Sequence, residues 1–378
     1  MLVAGIIIGL IVLVVLVVLH ELGHAIVARR NGVVVEEFGI GFPPKAWGKK
    51  LKNGVLLTLN WLPLGGFVKL QGEHDAATKK GDYGAATFWQ KTKILFAGVA
   101  VNWVTAVILL TGLALTTGIP KIVENQFSIP ADTVVVSTPV RLGDLTEGYP
   151  AEKAGLQTGD TIVSFDGQPI DTTLQLIEIS KQNRGETVTV VYQRDGQEAS
   201  TQIALRDADS AVVGAALGQQ QTMKSTWSAP IVGVVTTAQF TWVTLQGLGD
   251  LVSNFFMGLI GQLSTNSDTR EQATEKLETA GASVAGPVGI LGVIFPAASE
   301  AGLSQVIFLA AIISLTLAVM NALPIPALDG GRWFVTALFR LMKKPLTKEK
   351  EERIHGTGFM VLMLLIIVIT VADVIKLF

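Results

Sequence analysis

Residues 2–19 form an unbroken run of eighteen aliphatic and glycine residues, and no water-soluble fold of ordinary size has a place for such a run. As a helix it spans about 27 Å, close to the roughly 30 Å hydrocarbon thickness of a bilayer, where backbone polar groups must bond to one another. Three further segments meet the same test: Ile94–Gly118, Leu303–Leu323 and Thr357–Leu377. The pattern predicts a polytopic α-helical membrane protein with four transmembrane helices. The first run lacks a basic leader and a small-residue cleavage site, so it reads as a retained helix rather than a signal peptide.

Charge orients these spans. Eleven Lys and Arg residues lie between the first and second runs, and Arg340, Lys343, Lys344, Lys348, Lys350 and Arg353 lie between the third and fourth. Both loops are therefore expected on the cytoplasmic side of a bacterial inner membrane, which puts both termini outside. Segment 121–302 has twice as many acids as bases and is expected on the outer face. Within it, residues 231–263 are apolar but interrupted by Gln239, Gln246, Asp250 and Asn254 near helical spacing, which suits a helix lying in the interface; as a further span it would put Asp329 on the side opposite His24 and undo the metal site described next. The chain has no cysteine, so disulfides, thiolate metal sites and cysteine nucleophiles are excluded. No basic block interleaved with aromatics points to nucleic acid.

Three ionisable residues in five follow the first run directly: His20-Glu21-Leu22-Gly23-His24. Histidines four apart share a helix face and can hold one zinc ion, with Glu21 beside them as general base. Such groups are costly at membrane depth, which favours chemistry, although a polar interfacial cap would place them similarly. Catalytic zinc wants a third protein ligand. His74 and His355 sit in charge-rich surroundings, and Asp373 falls at the outer end of the fourth run. Asp329 follows the third run on the same side as His24, within Asn321-Ala322-Leu323-Pro324-Ile325-Pro326-Ala327-Leu328-Asp329-Gly330-Gly331. The two prolines open the backbone there, and a plain juxtamembrane turn remains the alternative.

Together these motifs resemble the site-two protease family of intramembrane zinc metalloproteases, in particular the bacterial branch typified by the regulator of sigma-E protease. The resemblance also rests on Phe38-Gly39-Ile40-Gly41-Phe42, Leu62-Pro63-Leu64-Gly65-Gly66-Phe67-Val68-Lys69 and Gly286-Pro287-Val288-Gly289-Ile290. It implies that His20, His24 and Asp329 bind Zn2+, that Glu21 activates water, and that Asn321 holds the substrate or polarises its carbonyl. It implies too that glycine-rich strands in 36–70 lie against the unwinding substrate, with Gly65 and Gly66 close to its backbone. Phe42-Pro43-Pro44 departs from the Gly-Pro pair common in relatives, which leaves the shape of that loop open.

Residues from about 125 to 210 read as short strands with hairpin signals at Asp166-Gly167 and Asp195-Gly196. Gly148–Leu156 and Thr158–Ile162 are similar to the PDZ domains of bacterial membrane proteases, so 121–215 is expected to be one inserted, extracytoplasmic PDZ-like α+β domain. It would bind a peptide or filter substrates by size. The domains expected are thus 1–120 (first membrane half, with a membrane-associated β-rich loop region), 121–215, 216–302 (interfacial helix, then a mobile linker at 264–285) and 303–378 (second membrane half). The expected partners are a single-span membrane protein, an anti-sigma factor or remnant signal peptide for example, and membrane lipids. A catalytically inactive scaffold built on the PDZ-like domain, or a transporter, are the competing classes. The intact Glu21 argues against the scaffold, and the lack of a repeated half argues against the transporter.

Overall fold

The structure is a computed structural model that describes residues 2–208 and 212–377; positions 209–211, inside the expected 121–215 domain, lie outside the described residues. It divides into two compact units, residues 1–113 with 230–378 and residues 114–229.

In the first unit, α1 (Leu2–Arg30) continues the apolar run straight through the His-Glu motif. Arg29 and Arg30 stand in its last turn, where cations suit the helix dipole, and Gly32 ends it in the left-handed conformation (φ +81°). β1 (Val35–Lys50) and β2 (Leu56–Leu70) follow, and both bend. Glu37–Ile40 pairs on one side with Gly66–Lys69 and on the other with Leu56–Leu59, while Lys45–Lys50 pairs with Leu56–Asn60. The stretch after Gly65 is thus an edge, with no second strand beside it among the described residues. The next helix, α2 (Phe88–Leu115), crosses α1 closely. A Cβ on Gly23 would stand 2.8 Å from the Ala97 carbonyl oxygen, so only glycine permits this approach.

The second unit contains β3 (Ile119–Pro120), β4 (Val134–Ser137), β5 (Arg141–Leu145), α3 (Pro150–Lys153), β6 (Thr161–Phe165), β7 (Gln168–Pro169), α4 (Thr173–Gln182), β8 (Thr187–Arg194), β9 (Gln197–Ala204), β10 (Ala215–Gly218) and β11 (Gln221–Lys224). One antiparallel sheet runs β10-β5-β6-β8-β9 with β7 on β6; a smaller one runs β3-β11-β4. Leu142, Ile162, Phe165, Val190 and Ile203 from the larger sheet enclose Leu176 and Ile179 of α4 in one core. Both hairpin signals are turns with paired positive φ, 51° and 72° at Asp166-Gly167 and 51° and 81° at Asp195-Gly196. This unit runs wider than the 121–215 expected, because β3 and β11 close a sheet across its two ends.

The chain returns through α5 (Ala229–Gln262), α6 (Ser267–Ala282), α7 (Pro287–Gly289), a π-helical turn (Ile290–Ile294) and α8 (Phe295–Ala301). Next come α9 (Leu303–Ala322), α10 (Asp329–Leu341) and α11 (Lys348–Leu377). One expectation changes here. The mobile linker at 264–285 is largely the helix α6: its Ala, Glu, Gln and Lys are good helix formers, and the Asn266 side chain caps it by accepting from the Asp268 N–H. The four expected spans are all helices. Five helices (α1, α2, α5, α9 and α11) are long and apolar enough to cross, and the bent pair 267–282 and 287–301 would make six. The stretch expected to lie in the interface is thus one 34-residue helix whose polar side chains are too sparse to disqualify it. The bent pair packs on α1, where a Cβ on Gly9 would fall 2.6 Å from the Phe295 ring. Asp373 accepts a hydrogen bond from the Gly289 N–H at 2.7 Å and holds this bend to α11.

Candidate metal centre

The close crossing of α1 and α2 fixes the two imidazoles. A Cβ on Gly98 would meet His24 Nε2 at 2.4 Å and His20 Nε2 at 2.7 Å, so the α2 backbone itself forms the floor beneath both rings. Asp329 arrives from the start of α10. Gly330 and Gly331 let α10 fold back on the opened Pro324–Pro326 stretch, since a Cβ at either would stand 2.3 Å from the Ala322 oxygen or 1.9 Å from the Ile325 oxygen.

The result is a triangle of ligand atoms. His20 Nε2 lies 3.1 Å from Asp329 Oδ2 and 3.1 Å from His24 Nε2, and His24 Nε2 lies 3.2 Å from Asp329 Oδ2. Four tetrahedral ligands at roughly 2.0–2.1 Å from a zinc ion stand about 3.3 Å apart, so the triangle fits three ligands of one such ion with a fourth position free. Both histidines are buried, at 7% and 8% exposure. Two imidazoles and a carboxylate, without sulfur, are a donor set suited to catalytic rather than structural zinc. Burial alone would raise the Asp329 pKa, but its hydrogen bonds to the imidazoles hold it well below the usual carboxylate range, so it presents an anionic oxygen.

The outer ring nitrogens are partnered as well. His24 Nδ1 faces the Ile94 carbonyl oxygen at 2.8 Å, which accepts its N–H and leaves Nε2 free for a metal. His20 Nδ1 faces the Asn102 carboxamide at 3.3 Å. Glu21 lines a cavity of about 430 Å³ together with His24, Asp329, His74, Arg332 and His355. Its carboxylate also faces the backbone N–H of Val68.

Of the other residues singled out from sequence, Gly66 stands at the strand edge, where a Cβ would lie 3.5 Å from Glu21 Cγ. Gly65 has φ +97° and turns the chain into that edge. The Asn321 amide donates to the Leu317 carbonyl oxygen within its own helix at 3.0 Å. His74 and His355 are outside the ligand triangle, yet both line the cavity. The Ala327 N–H donates to His355 Nδ1, and His355 Nε2 is buried without a hydrogen-bond partner. Arg332, one turn after Asp329, lies half-buried over the Tyr83 ring and is paired with Glu73 at 2.8 Å and Glu351 at 3.5 Å. It clamps the loop after β2 and the start of α11 to α10.

Gly98, Asn102 and Arg332 escaped the sequence reading, which weighed His355 only as a ligand and not as a wall of the cavity. Asn102 alone gave a signal, as a polar residue in an otherwise apolar span.

The profile of Peptidase family M50 matches residues 8–365. A Clostridium perfringens protein assigned as a zinc metalloprotease is 31% identical over 95% of this chain and 95% of its own. The zinc metalloprotease RasP of Geobacillus kaustophilus is 27% identical over 96% of each chain, and the regulator of sigma-W protease RasP of Bacillus subtilis is 26% identical over 96% of each. Among solved structures, the PDZ domain of an SdrC-like protein of Listeria monocytogenes is 23% identical over 21% of this chain and 86% of that one, at a TM-score of 0.19.

Proposed function

Because the chain belongs to Peptidase family M50, the zinc metallopeptidases of the membrane, we propose that it cleaves single-span membrane proteins at a zinc ion held by His20, His24 and Asp329. The observation that carries this reading is the ligand triangle with Glu21 beside it in the same cavity. When bound, zinc supplies Lewis acidity, which polarises a carbonyl and makes water more acidic.

The chain's own residues do the rest. Glu21 takes a proton from the attacking water and passes it to the leaving amine. That carboxylate stands half-buried beside the Gly66 edge, on the wall of the cavity. The edge after Gly65 accepts the substrate backbone as an added strand, which requires that the substrate helix unwind first, since helical carbonyls are already bonded internally. Gly65 and Gly66 allow that close approach. Asn321, one helix end away from Asp329, is assigned to holding or polarising the substrate carbonyl.

The compact unit 114–229 is read as a PDZ-like domain on its own topology, a sheet closed over α4, with a peptide ligand or a size limit as its contribution. It and both termini lie outside the cell membrane, and the basic loops lie inside. Termini on one side require an even number of crossings, so α5 and the bent pair after it either both cross or both stay at one face. A substrate such as an anti-sigma factor suits this arrangement and is in keeping with the name of the Bacillus subtilis relative.

Purified Glu21→Gln is expected to keep stoichiometric zinc and lose all cleavage of a single-span test substrate. Residual cleavage at the wild-type rate sinks the assignment of the base. Single cysteines added to this cysteine-free chain and labelled from either side of the membrane test the topology.

A further inference from the structure

Asn102 is fully buried in the middle of α2, where an amide side chain is costly unless it has work to do. Its place is pinned from a second helix, because Ser314 Oγ of α9, also fully buried, donates to the Asn102 backbone oxygen at 2.9 Å. The side chain reaches His20 Nδ1 at 3.3 Å, while its own Oδ1 has no hydrogen-bond partner. His20 Nε2 points the other way, toward Asp329 and His24.

A neutral imidazole carries one proton, so its two nitrogens cannot both accept or both donate. As oriented, the Asn102 NH2 group meets Nδ1 as a lone pair, which leaves the proton on Nε2, directed at Asp329. Metal binding at Nε2 needs the opposite tautomer. The proton must then sit on Nδ1, and Asn102 is the side chain facing it. A half-turn of the carboxamide exchanges its nitrogen for its oxygen at about the same 3.3 Å and supplies that acceptor. His24 solves the same problem with the fixed Ile94 carbonyl, which serves only the metal-binding tautomer.

Resting on the zinc reading above, we infer that Asn102 is a positioning residue for the metal: its carboxamide turns to accept the His20 Nδ1 proton and so commits Nε2 to the ion. An amide can serve His20 both with and without metal, whereas a carboxylate serves only the loaded form.

The test measures zinc affinity by chelator competition on the full-length protein in detergent, with cobalt substitution as a spectroscopic check on ligand geometry. Wild-type protein without tight zinc refutes the underlying metal reading itself. Given tight zinc in wild type, Asn102→Leu, branched at the same carbon but bulkier and with no acceptor, is expected to bind zinc 10–100-fold more weakly. Asn102→Asp is expected to restore wild-type or tighter binding and the wild-type cobalt spectrum. Wild-type affinity in Asn102→Leu, or an equal loss in the Asp variant, overturns the inference. Should Asn102→Leu fail to fold, Asn102→Ala removes the acceptor without added bulk, and the same weakening is required of it.

Discussion

Replacing Gly98 with alanine sets two effects of opposite sign against each other. In an apolar helix the change should help, because alanine is favoured over glycine by roughly 0.8–1 kcal/mol. The new methyl group, however, would stand 2.4 Å from His24 Nε2, 2.6 Å from His20 Cε1 and 2.7 Å from His20 Nε2. Ordinary contact begins near 3.4 Å, so the nearest ring must retreat by about 1 Å. Overpacking of that kind costs about 1–3 kcal/mol, so the net loss of fold stability lies between about zero and 2 kcal/mol, a few degrees of melting temperature at most. The metal is far less tolerant: ligand distances hold to within about 0.2 Å, and a 1 Å retreat removes at least one imidazole. Gly98→Ala is therefore expected to fold with a melting temperature near wild type while losing zinc affinity by more than the 10–100-fold that follows from disturbing an outer partner. Zinc content by mass spectrometry, chelator competition and thermal denaturation read the two effects separately. A Gly98→Ala protein with wild-type zinc affinity would refute the claim that the α2 backbone forms the floor of the site.

Two further outcomes follow from groups outside the spans. Arg332→Met leaves Glu351 buried without its cation and is expected to destabilise the membrane unit by about 3–5 kcal/mol, read as a large drop in melting temperature. In the second unit, burial would raise the Asp160 pKa, but the paired bonds from Arg194 and the Gln157 N–H bring it below the ordinary value. A depressed folded-state pKa gives stability that is complete above the unfolded value, roughly 3.9, and is lost as pH falls through the lower folded value. Arg194→Met should thus expose β6 and β8 to faster hydrogen exchange in the full chain at pH 7, and the difference from wild type should fade as pH drops below the carboxylate range. A difference unchanged by acid would mean that Arg194 acts through packing alone.

Some of this was legible in one dimension because its physics is local. Apolar run length marked α1, α2, α9 and α11, and a four-residue spacing put His20 and His24 on one face. Paired turn residues marked both hairpins of the second unit. The sequence misled where composition stood in for structure. The polar stretch after α5 is a capped helix, since solvated Glu, Gln and Lys favour helix as readily as disorder.

What the chain's order of residues determined by itself was the kind of chemistry available: imidazoles and carboxylates of the type that bind a metal, no thiol, and helices long and apolar enough to cross a bilayer. Tertiary structure decided the rest, because it depends on which backbones approach. Asp329 meets His20 across 309 positions, Gly98 becomes a floor only because α2 lies against α1, and His355 enters the cavity only because α11 packs beside the turn before α10. Periodicity reports which way a side chain faces along its own element, and packing alone supplies what it faces.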